Sequence, residues 1–165
     1  KIFNKPNFFV KNKLEECDFI FLLSLMIIDG TDNTDYFIYK FDISKKDKKR
    51  LKFIDNFYKS NLNNNSFSEK NLNKVFYFYG KEAVIDIIGF RASCLKKNDK
   101  KLIELLNKYN SKIIPTLPIT ARDLMNRYNI PEGKILGNKL KIIEEEWVKN
   151  NFQLSNKKLE KIIDC

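Results

Sequence analysis

Residues 123–137 read DLMNRYNIPEGKILG, and this stretch decides the fold class. A helical run closes at Tyr128, Pro131 and Gly133 confine a tight turn over Asn129 to Gly133, and a second helix opens at Lys134. The layout is an αα-hairpin. In its helix-hairpin-helix form, the backbone N–H groups that open the second helix face a phosphate, and Lys134 adds a positive charge there. Downstream, Leu136, Leu140, Ile143 and Trp147 recur at spacings of three and four, so a long helix from Lys134 to Asn150 carries one apolar stripe, with Trp147 as a core anchor. A last helix is capped by Ser155, and the helix before the turn spans Ala121 to Tyr128. Gly137 inside the long helix costs up to ~1 kcal/mol relative to Ala, so close packing or close ligand approach is expected there.

The same periodicity runs back to the start of the chain. Leu14 to Ile28 reads as a first helix, apolar on most faces and therefore central. Ser44 and Asp47 form a capping pattern for a helix from Lys45 to Tyr58, with Leu51 and Ile54 inward. Asn61 to Asn65 is turn-prone, Ser68-x-x-Asn71 caps a helix to about Tyr79, and Gly80 ends it. Glu82 to Leu95 carries Val84, Ile85, Ile87, Ile88 and Phe90 and belongs in the core, and Asp99 opens an amphipathic helix through Tyr109. Asp35 to Phe41, DYFIYKF, could pass for a short strand. With only 5 Gly and 4 Pro to interrupt it, the chain reads as all-α. A helical body over 1–114 is followed, after the extended segment set by Pro115 and Pro118, by a helix-turn-helix tail over 115–165.

The chain has 165 residues, and its 31 Lys and Arg outnumber its 21 Asp and Glu, giving a formal charge of +10 with no His. That excess points to a polyanionic partner, either nucleic acid or an anionic membrane surface. Without histidine, Ser-His-Asp and Cys-His machinery and Cys/His zinc sites are excluded. Cys17, Cys94 and Cys165 are far apart and odd in number, which argues against a disulfide framework and fits a reducing cytoplasm. The most apolar run, FIFLLSLMII at 19–28, is half the roughly 20 residues a bilayer span needs. Glu15, Glu16 and Asp18 before it do not suit a signal peptide. The first residue is Lys1 rather than Met, as expected of a piece of a longer protein.

The densest charge cluster is SKKDKKRLK at 44–52. Core-side positions 47, 51 and 54 leave Lys45, Lys46, Lys48, Lys49, Arg50 and Lys52 on one broad solvent arc, which is either a plain solvated face or a phosphate-binding stripe. Lys96, Lys97, Lys100 and Lys101 form a weaker second cluster. Asp29, Asp32 and Asp35 lack the spacing of a calcium loop and read as a polar loop, and Glu144 to Glu146 as a solvated face. No carboxylates sit beside a Gly-rich phosphate loop, so no active site is visible.

Residues 117–163 resemble the C-terminal end of the bacterial poly(A) polymerase and CCA-adding tRNA nucleotidyltransferase family. Its pattern P-I-x-G-x-D-L-M, a short G-I-x-P-G-x-x-I/L-G turn and a helix with E-x-x-W is filled here by Pro118, Ile119, Asp123, Leu124, Ile130, Gly133, Leu136, Gly137, Glu144 and Trp147. Ala121 and Asn129 stand where the pattern has Gly, and Asn tolerates the left-handed conformation. Upstream, Ile43 to Leu51 resembles the family's L-S-x-x-[DE]-x-x-R-L helix, and Gly80 to Asp86 its G-x-E-x-x-x-D segment.

The resemblance implies an all-helical body and tail that grip RNA, tRNA above all, while a catalytic head with the D-x-D motif and phosphate loop adds nucleotides. No D-x-D occurs in these residues. The chain is therefore expected to be inactive alone and to need no cofactor, with Mg and a nucleoside triphosphate belonging to the parent enzyme. Lys45, Lys46, Lys48, Lys49, Arg50 and Lys52 would contact phosphates, and Arg122, Asn129, Gly133 and Lys134 a second backbone segment. A separately encoded head is a further expected partner, and a membrane is not. The alternative is a helical protein-interaction module or split-gene remnant that docks on such a head and binds no RNA.

Overall fold

The computed structural model describes residues 18–60, 64–95 and 99–164. Among them are eight α-helices and no strand: α1 Phe19–Ile27, α2 Asn33–Lys40, α3 Lys45–Ser60, α4 Glu69–Cys94, α5 Lys100–Ser111, α6 Ala121–Tyr128, α7 Lys134–Lys149 and α8 Asn156–Asp164. The all-α expectation is met. No helix among the described residues is long and apolar enough to cross a membrane. The chain divides into two units: the described residues up to Phe67 with Tyr79–Lys112, and Ser68–Phe78 with the residues from Ile113 on.

In the first unit, Asp18 opens α1 by accepting a hydrogen bond from the Phe21 amide at 3.0 Å. The expected residues 14–17 of this helix lie outside the described part. Phe21, Leu25 and Ile28 pack with Ile54 of α3 and Phe90 of α4, and Tyr58 closes on Phe90 edge-on at 5.4 Å. The helix is nevertheless not buried all round, because Phe19 and Met26 face solvent.

Residues 35–41 do not form a strand. Asn33–Lys40 is helical, with Asp35 in the first turn, Lys40 in the last and the Phe41 amide bonded to Phe37 O. The aromatics that favour a strand are used at helical spacing instead: Phe37 and Phe41 stack four residues apart at 4.6 Å. Helix α3 starts as its capping pattern requires, the Ser44 hydroxyl accepting from the Asp47 amide at 3.1 Å and donating to its carboxylate at 2.7 Å.

Helix α4 is interrupted at Gly80, whose φ of 88° and ψ of 177° are not helical. That corner of backbone space is open to Gly and closed to residues with a Cβ. The division of α4 between the two units falls one residue earlier, between Phe78 and Tyr79. Beyond the break Val84, Ile87, Ile88 and Phe90 are buried. Helix α5 is capped by Asp99, which accepts from the Lys101 amide at 2.9 Å, and buries Leu102, Leu106 and Tyr109.

In the second unit, Leu124 of α6, Ile130 of the turn, Leu136 and Ile143 of α7 and Leu159 of α8 form one cluster. Lys139 donates to Ile163 O at 2.6 Å, placing a cation on the carbonyl end of α8. Trp147 is buried, as expected of a core anchor, and meets Tyr77 edge-on at 5.4 Å and Phe152 at 5.0 Å. Glu144 is not a purely solvated residue: it accepts a 2.6 Å hydrogen bond from the Tyr77 hydroxyl. Burial first, and this carboxylate second, push the Tyr77 phenol up to about 12. Phe152 adopts a φ of 65°, rare for a bulky residue. Its ring lies 5.0 Å from that of Trp147 and 6.1 Å from that of Tyr77.

Candidate nucleic-acid interface

Helix α3 turns Leu51, Ile54 and Asp55 inward. With 3.6 residues per turn, Lys45, Lys49 and Lys52 then fall at i, i+4 and i+7 on one outward stripe, with Lys46 beside it. Lys45, Lys46 and Lys49 are exposed and make no ion pair among the described residues. Lys52 lies 3.1 Å from Asp35 and Lys48, partly covered, 3.6 Å from Asp42, so both lean towards α2. The six cations of this segment thus separate into an open set of three, a pair answered by acids, and Arg50.

Arg50 points the other way, and its side chain is only 14% exposed. Nε donates to Asp86 Oδ2 at 2.6 Å and Nη2 to Asp86 Oδ1 at 2.7 Å. Nη1 and Nη2 donate to the two oxygens of Asp18 at 3.0 and 2.7 Å, and Nη1 also lies 3.2 Å from Glu82 Oε1. A guanidinium has five N–H donors, and four hydrogen bonds to Asp86 and Asp18 are made here, with Glu82 as a further ion-pair partner. Placed for phosphate by its position in the sequence, Arg50 is committed in the structure to three carboxylates that join α1, α3 and α4.

The charges of this cluster are strongly coupled. Burial pushes the Asp86 carboxyl up, and Arg50 pulls it only part of the way back. Burial also acts to raise Asp18, but Arg50 and the Phe21 amide together outweigh it and leave that carboxyl below its ordinary value. Arg50 itself is raised, chiefly by the hydrogen bonds to Asp86. Among the described residues no group of His, Cys, Asp or Glu is arranged to hold a metal ion, and the cation at the centre of these acids is the guanidinium.

The acidic loop before α2 is a local hydrogen-bonded turn: Asp29 accepts from the Thr31 amide and hydroxyl and from Asn33 Nδ2. Of the second cationic cluster, Lys96 and Lys97 lie outside the described residues, and Lys100 and Lys101 are exposed at the start of α5.

The hairpin of the second unit is built as its sequence demands. Thr120 and Asp123 form a reciprocal capping box at the start of α6. Asn129 closes that helix with φ 51° and ψ 32°, the left-handed conformation, and its N–H is bonded to Leu124 O. Gly133 has φ 139° and offers α7 no capping side chain. The first amides of a helix have no intrahelical acceptor, so this end of α7 favours an anion. Arg122 and Lys134 are exposed and unpaired among the described residues. A Cβ at Gly137 would meet nothing within 4 Å, so no close packing inside the protein accounts for that glycine.

The described residues are thus all-helical, with a lysine-striped helix in one unit and a glycine-capped hairpin in the other. The sequence matches the profile of the family described as tRNA nucleotidyltransferase domain 2, putative, over residues 13–163, and the chain belongs to that family. Neither the curated proteins nor the solved structures yield a match.

Proposed function

We propose that this chain is the RNA-gripping part of a tRNA nucleotidyltransferase or poly(A) polymerase, holding an RNA, tRNA above all, while a catalytic head outside these residues extends the 3′ end. The observation that carries the reading is the match to the tRNA nucleotidyltransferase family over residues 13–163, in a chain of net charge +10. The exposed lysines of α3 support it. Lys45, Lys46 and Lys49 need no rearrangement of internal ion pairs to meet phosphates, whereas Lys48 and Lys52 would first leave Asp42 and Asp35. Arg50 drops out of the phosphate-binding set, and its role is to hold α3 against α1 and α4.

In the second unit, Arg122, Asn129, Gly133 and Lys134 supply a second phosphate contact at the open end of α7. Magnesium and the nucleoside triphosphate belong to the head, where two metals would assist attack of the 3′-hydroxyl. Titration of labelled tRNA against the chain at several salt concentrations tests the reading. Affinity that falls steeply with salt supports it, and no binding at low salt overturns it.

A further inference from the structure

Helix α2 turns Thr34 inward, and it and the Phe41 that follows leave three rings in water: Tyr36 is 59% exposed, Tyr39 89% and Phe41 48%. Large apolar rings grouped on a surface and rimmed by charge mark an interaction site rather than a solvated helix. The rim carries one cation, Lys40, together with the exposed acids Asp32, Asp35 and Asp42. Lys40 stands 5.6 Å from the Tyr36 ring centre and 5.9 Å from that of Phe41. The ion pairs Lys52–Asp35 and Lys48–Asp42 set α2 beside the lysine stripe of α3 and answer two of the acids of this segment. The unpaired cations Lys45, Lys46 and Lys49 follow on the same unit.

We infer that this face is a stacking platform for the bases of single-stranded RNA, with Tyr39 and Tyr36 receiving bases while Lys45, Lys46 and Lys49 track the backbone. The inference rests on the RNA-binding reading above and adds the strandedness of the RNA. Phosphate contacts by lysine are blind to base pairing, but a ring can stack only on a base that is free of its neighbours. A nucleobase presents a flat π-face to the phenol rings, and its phosphate supplies the negative charge that the lysines lack. A protein partner would have to cover the same rings while desolvating several cations, so the charge favours the nucleic acid.

The test uses the full chain and two probes of equal length and charge, a single-stranded oligoadenylate and an abasic strand with the same sugar–phosphate backbone. The wild type is expected to prefer the oligoadenylate. The paired change Tyr36→Ala with Tyr39→Ala should weaken that probe by about tenfold or more, the size expected for one or two stacked bases, and leave the abasic strand unchanged. Tyr39→Phe, which keeps the ring, should bind like the wild type. Equal wild-type affinity for the two probes, or a loss that is the same on both, overturns the platform and assigns the rings to a protein partner, with the lysine grip left standing. Failure of the wild type to bind either probe or tRNA overturns the RNA-binding reading itself.

Discussion

Arg50 and Asp86 meet through two parallel hydrogen bonds, Nε to Oδ2 at 2.6 Å and Nη2 to Oδ1 at 2.7 Å, with the carboxylate side chain only 4% exposed. Removing one partner of a buried pair leaves the other charge without compensation, which costs about 3–5 kcal/mol. Arg50→Met should therefore lower stability by roughly that amount, read as a shift of the urea midpoint. Adding Asp86→Leu to the same chain should restore most of it, because the buried charge is then gone. If Arg50→Met alone is neutral, the pair does not hold the three helices together.

Three glycines separate conformation from packing. Gly80 and Gly133 hold φ values of 88° and 139° that a side chain resists, so Ala at either should cost about 1–3 kcal/mol. Gly137 is an ordinary helical residue facing open space, and Gly137→Ala should stabilise by up to ~1 kcal/mol. Thermal melts of the three variants check the contrast in sign.

Acid should weaken the fold through the carboxylates of one cap and one loop turn. Side-chain and backbone hydrogen bonds to Thr120 hold Asp123 below its ordinary value of 3.8, and those to Thr31 do the same for Asp29. A carboxyl lowered in the folded state contributes stability that is complete above its unfolded value and is lost as pH falls through the folded one. The loss should therefore begin below about pH 4 and be smaller in Asp123→Asn, which has no charge to lose there. Asp86 acts in the opposite sense, because a raised carboxyl loses stability as pH rises from its unfolded value through its folded one. Stability measured from pH 5 down to pH 2 in the wild type and Asp123→Asn tests the sign.

Much of this was legible in the sequence because its signals are local. Ser44 with Asp47, and Asp99, mark helix starts by chemistry confined to a few residues, and Gly80 marks a break by backbone sterics alone. What was not legible depends on distant partners. Arg50 looks like any cation of its cluster until Asp86, thirty-six positions away, is placed against it. A clue was present, since Arg50 falls in one segment of the family pattern and Glu82 and Asp86 in another. The DYFIYKF stretch has strand-favouring residues, and only its packing beside α3 reveals a helix with its rings outward. The Tyr77–Glu144 bond likewise joins residues sixty-seven positions apart.

The central claim, that an open lysine stripe on α3 grips RNA, is tested most directly by the slope of log affinity for tRNA against log salt. Replacing Lys45, Lys46 and Lys49 together by Ala should weaken binding at low salt and flatten that slope by about two to three, one unit or slightly less for each phosphate no longer neutralised. Circular dichroism should remain unchanged, since all three residues are exposed. A triple variant that binds tRNA with the wild-type affinity and slope would contradict the claim.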